Sequence, residues 1–226
     1  MTLLIVSLAP VFIILFYIYF RDKYEREPLG LLIRALLAGV IIVMPVIFVE
    51  KFLLVLNPFQ GKISSAGYNA FVVAGFTEEF FKFAALYLLI WRNPEFNEKF
   101  DGIVYAVFIS LGFAAMENIL YVSEGGIHVA VTRAITAVPA HALFGVRMGY
   151  FFGIAHMYPE IRSRYLRLSF LEPFILHGIY DFMLMSGIHL LLLLFVPYLI
   201  YLYINGFKKI KELSDSSIYR EDEQEE

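Results

Sequence analysis

Residues 68–91 read YNAFVVAGFTEEFFKFAALYLLIW. At 1.5 Å per residue a helix of this length reaches about 36 Å, enough to cross the roughly 30 Å hydrocarbon core of a bilayer. Yet Glu78, Glu79 and Lys82 sit at its middle, where each charge is costly. The surrounding sequence shows which solvent this stretch faces. Of 226 residues 60% are apolar and only 17% are charged, and the mean hydropathy is +0.71. Soluble domains carry about a quarter charged residues. Long apolar runs recur from end to end, so the expected fold is an all-α integral membrane protein without a soluble catalytic module. The net charge of −3 favours no nucleic-acid partner, and with no cysteine the chain has neither disulfides nor thiolate chemistry.

The same length rule predicts a polytopic bundle of seven transmembrane helices at 3–20, 31–56, 68–91, 102–122, 130–156, 168–187 and 189–206. The first run, MTLLIVSLAPVFIILFYIYF, lacks a basic leader and a small-residue cleavage site, and its charges follow it. It reads as a retained span rather than a signal peptide. Basic residues divide unevenly between the two sets of loops. Arg21, Lys23, Arg26, Arg92, Lys99, Arg162, Arg164, Arg167, Lys208, Lys209, Lys211 and Arg220 fall on one side, against Lys51 and Lys62 on the other. That asymmetry predicts an N-terminus outside and a cytoplasmic C-terminus. Residues 1–206 then form one membrane-embedded domain, and 207–226 a charged cytoplasmic tail, read as disordered.

Ionisable residues inside spans face the bundle interior and mark function by default. Glu78 and Glu79 lie in the third span, Glu117 and Asn118 in the fourth, His141 in the fifth, and His177 and Asp181 in the sixth. Their depths run from roughly 8 to 16 Å below the outer surface, so all can meet in one cavity. The bland reading is a local ion pair, because Glu78 and Glu79 stand four and three residues before Lys82. One lysine neutralises only one carboxylate, however. His177 and Asp181 share a helical face, where the carboxylate can orient the imidazole. Arg34 and Arg133 lie near span ends and are expected to snorkel; Arg147 lies deeper.

A carboxylate beside a second carboxylate and a lysine has the makings of a tuned general base. Two histidines from other helices can serve as acid, oxyanion donor or metal ligand, and Asn118 can donate to an oxyanion. These parts suit amide hydrolysis by activated water, with no metal or with Zn2+; the metal-ligand candidates are His141, His177 and Glu117. A proton-coupled transporter is the rival reading, since carboxylate and histidine chains also build proton relays. No paired, interrupted segments of the inverted-repeat kind accompany it.

The blocks RDKYEREP, GFTEEFFKF, FDGIVYAVFISLGFAAMENILY, RAITAVPAHALFGVRMG and LHGIYDF together resemble the PrsW intramembrane proteases, within the membrane superfamily that includes the CAAX prenyl endopeptidases. The family's two glutamates and basic residue fall on Glu78, Glu79 and Lys82. Its phenylalanine and polar residue fall on Phe113 and Glu117, and its later histidines on His141 and His177, the last followed by Asp181. CAAX enzymes typically carry histidine at the position of Glu117 and asparagine at that of Asp181. The resemblance implies a protease of the bacterial plasma membrane that makes the site-1 cut in a membrane-anchored anti-sigma factor. The cut falls on the extracytoplasmic side, beginning regulated intramembrane proteolysis and a stress response. Its catalytic set is Glu78, Glu79, His141 and His177, supported by Lys82, Glu117, Asn118 and Asp181.

Overall fold

The computed structural model describes residues 2–220 and contains no strand among them. Its helices are α1 (Thr2–Arg21), α2 (Leu29–Val55), α3 (Lys62–Tyr68), a π-helical turn (Asn69–Phe76), α4 (Thr77–Ile90), α5 (Lys99–Ile135), α6 (Ala137–Met157), α7 (Arg162–Met185) and α8 (His189–Asp215). Among the described residues, four helical stretches are long and apolar enough to cross a membrane, and Ile5–Arg21 is a shorter apolar helix. Each expected span corresponds to helix. The third is built from three consecutive pieces, 62–68, 69–76 and 77–90. The expected tail from 207 is helical through Asp215, and Ile218–Arg220 forms a short 3-10 turn; residues 221–226 lie outside the described residues.

The central helix is α5, packed by α1, α2 and α6. Every residue from Phe100 to Ala114 is buried, as a helix apolar on all faces requires. The outer helices instead turn large apolar side chains outward: Phe48 is 76% exposed, Leu88 85% and Leu193 73%. Water would not tolerate so much contiguous apolar surface, whereas lipid does. Because lipid tails are as apolar as leucine, helices here are held by close packing rather than by hydrophobic exclusion. The α5–α6 seam shows this directly. A Cβ on Gly149 would lie 2.1 Å from the carbonyl oxygen of Gly102, and one on Gly102 would lie 2.5 Å from that of Gly149. Gly149→Ala is therefore expected to cost about 1–3 kcal/mol as an overpacking change. Thermal unfolding in detergent reads it as a drop of several degrees, and an unchanged midpoint would mean that the two helices do not meet here.

Near its far end α5 is interrupted. Gly126 adopts φ 68°, so the continuous helix is two helices across a kink. Only glycine takes this left-handed geometry readily. The second piece carries Arg133 back toward the first, which matters for the site.

Candidate functional site

The π-helical turn leads directly into TEEFFK. Such turns are rare and often stand at functional sites, because the extra residue re-aims the side chains that come after it. Here α7 packs tightly against the turn: a Cβ on Gly75 would sit 3.1 Å from the backbone nitrogen of Gly178. Gly178 is the residue after His177, so the same contact that seats α7 brings His177 onto the glutamates.

Lys82 Nζ lies 3.0 Å from Glu78 Oε2, 2.8 Å from Glu79 Oε1 and 3.1 Å from His141 Nδ1. The lysine therefore serves both carboxylates, where the local reading allowed it one. An ammonium has donors only, so His141 Nδ1 accepts and its Nε2–H donates to Glu117 Oε2 at 2.9 Å. His177 Nδ1 donates to Glu79 Oε1 at 2.9 Å, and its Nε2 stands 3.4 Å from Asp181 Oδ2. The two imidazoles meet edge to face with centroids 5.2 Å apart. Phe144 stacks on His177, and the Phe113 ring lies under the Lys82 ammonium at 4.3 Å.

A cavity of about 600 Å³ opens beside this cluster, lined by Glu78, Glu117, His141, His177 and Asp181 among others. Glu79 and Lys82 are fully buried behind it. Seven of the eight site residues read from the sequence thus touch one another directly, and the eighth joins them only through Arg133. The eighth, Asn118, is turned onto α1: its Nδ2 donates to the Ser7 carbonyl at 2.7 Å and its Oδ1 accepts from Arg133 Nε. Arg133 does not snorkel. Its Nη2 pairs with Glu117 Oε2 at 2.8 Å across the Gly126 break. Arg147 finds its partner in Glu172 of α7. Glu50, near the end of α2, also lines the cavity. Sequence reasoning did not single it out; the available signal was a carboxylate within the apolar run of the second expected span.

Among the described residues, Glu78, Glu79, His141 and His177 offer ligand atoms that all lie within 4.8 Å of one another. Two imidazoles and two carboxylates form a donor set that suits a divalent transition metal. Glu79 Oε2 is buried with no hydrogen-bond partner, as an oxygen reserved for such an ion would be. Glu117, with one oxygen between Arg133 and His141, stands outside this set of four.

Comparison with known proteins identifies the chain's relatives. A sequence profile described as "PrsW family intramembrane metalloprotease" matches residues 27–204. The chain is 42% identical to Protease PrsW of Geobacillus kaustophilus, over 82% of this chain and 80% of that one. It is 38% identical to Protease PrsW of Oceanobacillus iheyensis, over 96% and 99% of the two chains. The Protease PrsW of Bacillus subtilis is 35% identical over 91% and 93%. No solved structure matches. A buried Glu/Lys/His cluster on apolar helices, in a chain that matches these proteases over most of its length, makes this a membrane-embedded peptide hydrolase: the chain belongs to the PrsW family of intramembrane metalloproteases.

Proposed function

We propose that the chain is a seven-span endopeptidase of the bacterial plasma membrane, N-terminus outside and C-terminus cytoplasmic. Its substrate on this reading is a membrane-anchored anti-sigma factor, cut on the extracytoplasmic side. The observation that carries the chemical part is the division of labour between the glutamates. Glu78 lines the cavity, whereas Glu79 is wholly buried and holds both Lys82 and His177. Glu78 is accordingly the general base that takes a proton from the attacking water. Glu79 orients His177, and Lys82 balances the paired charge. Both ring nitrogens of His141 are engaged, by Lys82 and Glu117. His177 Nε2, loosely held by Asp181, is the better donor to the tetrahedral oxyanion and to the leaving amine. Glu117 and Asp181 keep the two imidazoles in register. A bound Zn2+ would be held by Glu79, His141 and His177, with Lys82 giving up its contact to His141 Nδ1, and it would supply a Lewis acid that acidifies the water whose proton Glu78 takes. The basic loops Arg21–Arg26 and Arg162–Arg167 support the orientation.

The test is cleavage of a single-span anti-sigma substrate by the purified protein in liposomes, with products mapped by mass spectrometry. One cut on the outer side of the substrate's span is expected, and loss of that cut with a zinc chelator would identify the metal-dependent form. A folded protein that leaves the substrate intact but passes protons down a pH gradient would overturn the protease reading in favour of transport.

A further inference from the structure

Asp101 lies sixteen residues before Glu117 on α5, about 24 Å along the helix. There the turn between α1 and α2 meets the start of α5. Asp22, Glu27, Glu98 and Asp101 are buried here and Glu25 is half-buried. Their hydrogen bonds come from neutral donors. Asp22 accepts from the Glu27 amide, Glu27 from the Tyr105 hydroxyl, and Glu98 from Ser217. Asp101 Oδ2 accepts from the amides of Asn97 and Glu98, and Glu25 Oε1 from the Asn97 side chain.

Among the described residues no lysine or arginine forms an ion pair with any of the five. The nearby cations make no contact pair with them: Arg21 pairs with Asp215, while Arg26, over the Tyr19 and Phe20 rings, and Lys99, over Tyr158, act on Asp22 and Glu98 only through space. Among the described residues, three buried carboxylate oxygens, Oε2 of Glu25, Oε1 of Glu27 and Oδ1 of Asp101, have no donor beside them, and Glu27 and Asp101 face each other closely enough to share a proton. Asp101 is 0% and Glu27 2% exposed. Leaving such atoms unpaired is expensive, and an uncompensated buried charge is more so.

We propose that Glu25, Glu27 and Asp101 form a binding site for a hard divalent cation, which ties the α1–α2 turn to the start of α5. Each of the three offers an oxygen within 4.8 Å of the others. Oxygens at 2.3–2.6 Å from Ca2+ stand up to about 5 Å apart, so the spacing suits calcium, and Mg2+ requires a slight contraction. With neither histidine nor cysteine present, the set does not favour zinc. It shares no residue with the Glu78 cluster. Protons are the competing way to balance the charge. Burial pushes Asp22 up to about 7 and Glu27 up to about 8. Each raised value means that stability present at acid pH is lost as pH rises from about 4 toward 8. The groups facing one another there are Asp22, Glu25, Arg26 and Glu27 from the turn, Glu98, Lys99, Asp101 and Tyr105 from α5 and its cap, and Tyr219 from the C-terminal segment.

Thermal unfolding of EDTA-treated, dialysed full-length protein in a non-ionic detergent at neutral pH tests the site. CaCl2 is expected to raise the midpoint saturably by roughly 5 °C, as tight binding to the folded state alone would for a chain of this size. Glu27→Gln and Asp101→Asn should each abolish the rise. Both amides keep an oxygen to accept from Tyr105 or the α5 cap, so both are conservative. Glu78→Gln should leave the rise intact. No rise at any concentration, or a rise that survives both variants, overturns the site and leaves protons as the balancing charge. Should either variant fail to fold, Tb3+ luminescence sensitised by Tyr105 in the Glu78→Gln background decides: emission displaced by Ca2+ supports the site, and no emission overturns it. Because Glu78 is absent from that background, failure of the cation site and failure of the protease reading are separable.

Discussion

Glu78→Gln is expected to lower the rate of peptide cleavage by roughly a hundredfold or more, the usual worth of a positioned general base, with little loss of folded protein. The amide keeps the shape of the carboxylate, and its carbonyl can still accept from Lys82 Nζ, now 3.0 Å from Glu78 Oε2. What it cannot do is take a proton from water. The buried Lys82 ammonium keeps Glu79 as its counter-charge at 2.8 Å, so the fold is spared. The matching change at Glu79 differs in kind. Glu79 is fully buried and one of its oxygens receives both Lys82 and His177, so Glu79→Gln should depress both rate and unfolding temperature. Initial rates on a reconstituted single-span substrate, beside thermal midpoints for the same preparations, separate the two. Cleavage by the Glu78 variant within tenfold of wild type would move the base elsewhere, with Glu79 the next candidate.

Lys82→Met should be the most destabilising single change in the molecule. The side chain is 0% exposed, and methionine replaces its stem at nearly equal length. Removing the ammonium leaves two buried carboxylates, 3.0 and 2.8 Å from its former position, with no cation, and strips His141 Nδ1 of its donor. Breaking a buried ion pair from one side costs about 3–5 kcal/mol, which for a chain of this size lowers the midpoint by roughly 10 °C. Lys82→Met/Glu78→Gln should recover part of that loss, because one of the stranded charges goes with it. If Lys82→Met unfolds at the wild-type temperature, another cation holds the carboxylates. Loss of that stability on adding a chelator would identify a metal in the cluster.

Much of the site was legible because helical geometry is local. A rise of 1.5 Å per residue fixes how deep Glu78, Glu117, His141 and His177 lie once the span ends are known, and the spacing of Glu78, Glu79 and Lys82 puts the ammonium within reach of both carboxylates. Apolar length, in turn, determined where helices form. The rotation of each helix about its own axis was not legible. In a soluble protein the polar face marks the outside, but here lipid and core are equally apolar and hydropathy carries no such mark. Rotation is decided by close backbone contacts such as Gly102 on Gly149 and Gly75 on Gly178. These contacts produce arrangements that no local pattern contains: His141 accepts from Lys82 across 59 residues, Arg133 folds back over Gly126 to Glu117, Glu50 turns into the cavity, and Asn118 turns away to Ser7. The buried carboxylates at the α1–α2 turn belong with them. Sequence placed Glu25 and Glu27 in a basic loop, where solvation was the natural expectation. Only the docking of that loop on α5 takes them out of water and sets them against Asp101. The sequence by itself thus determined where the helices form and the chemistry on offer. Tertiary packing alone decided which charges meet, because that depends on contacts between segments far apart in the chain.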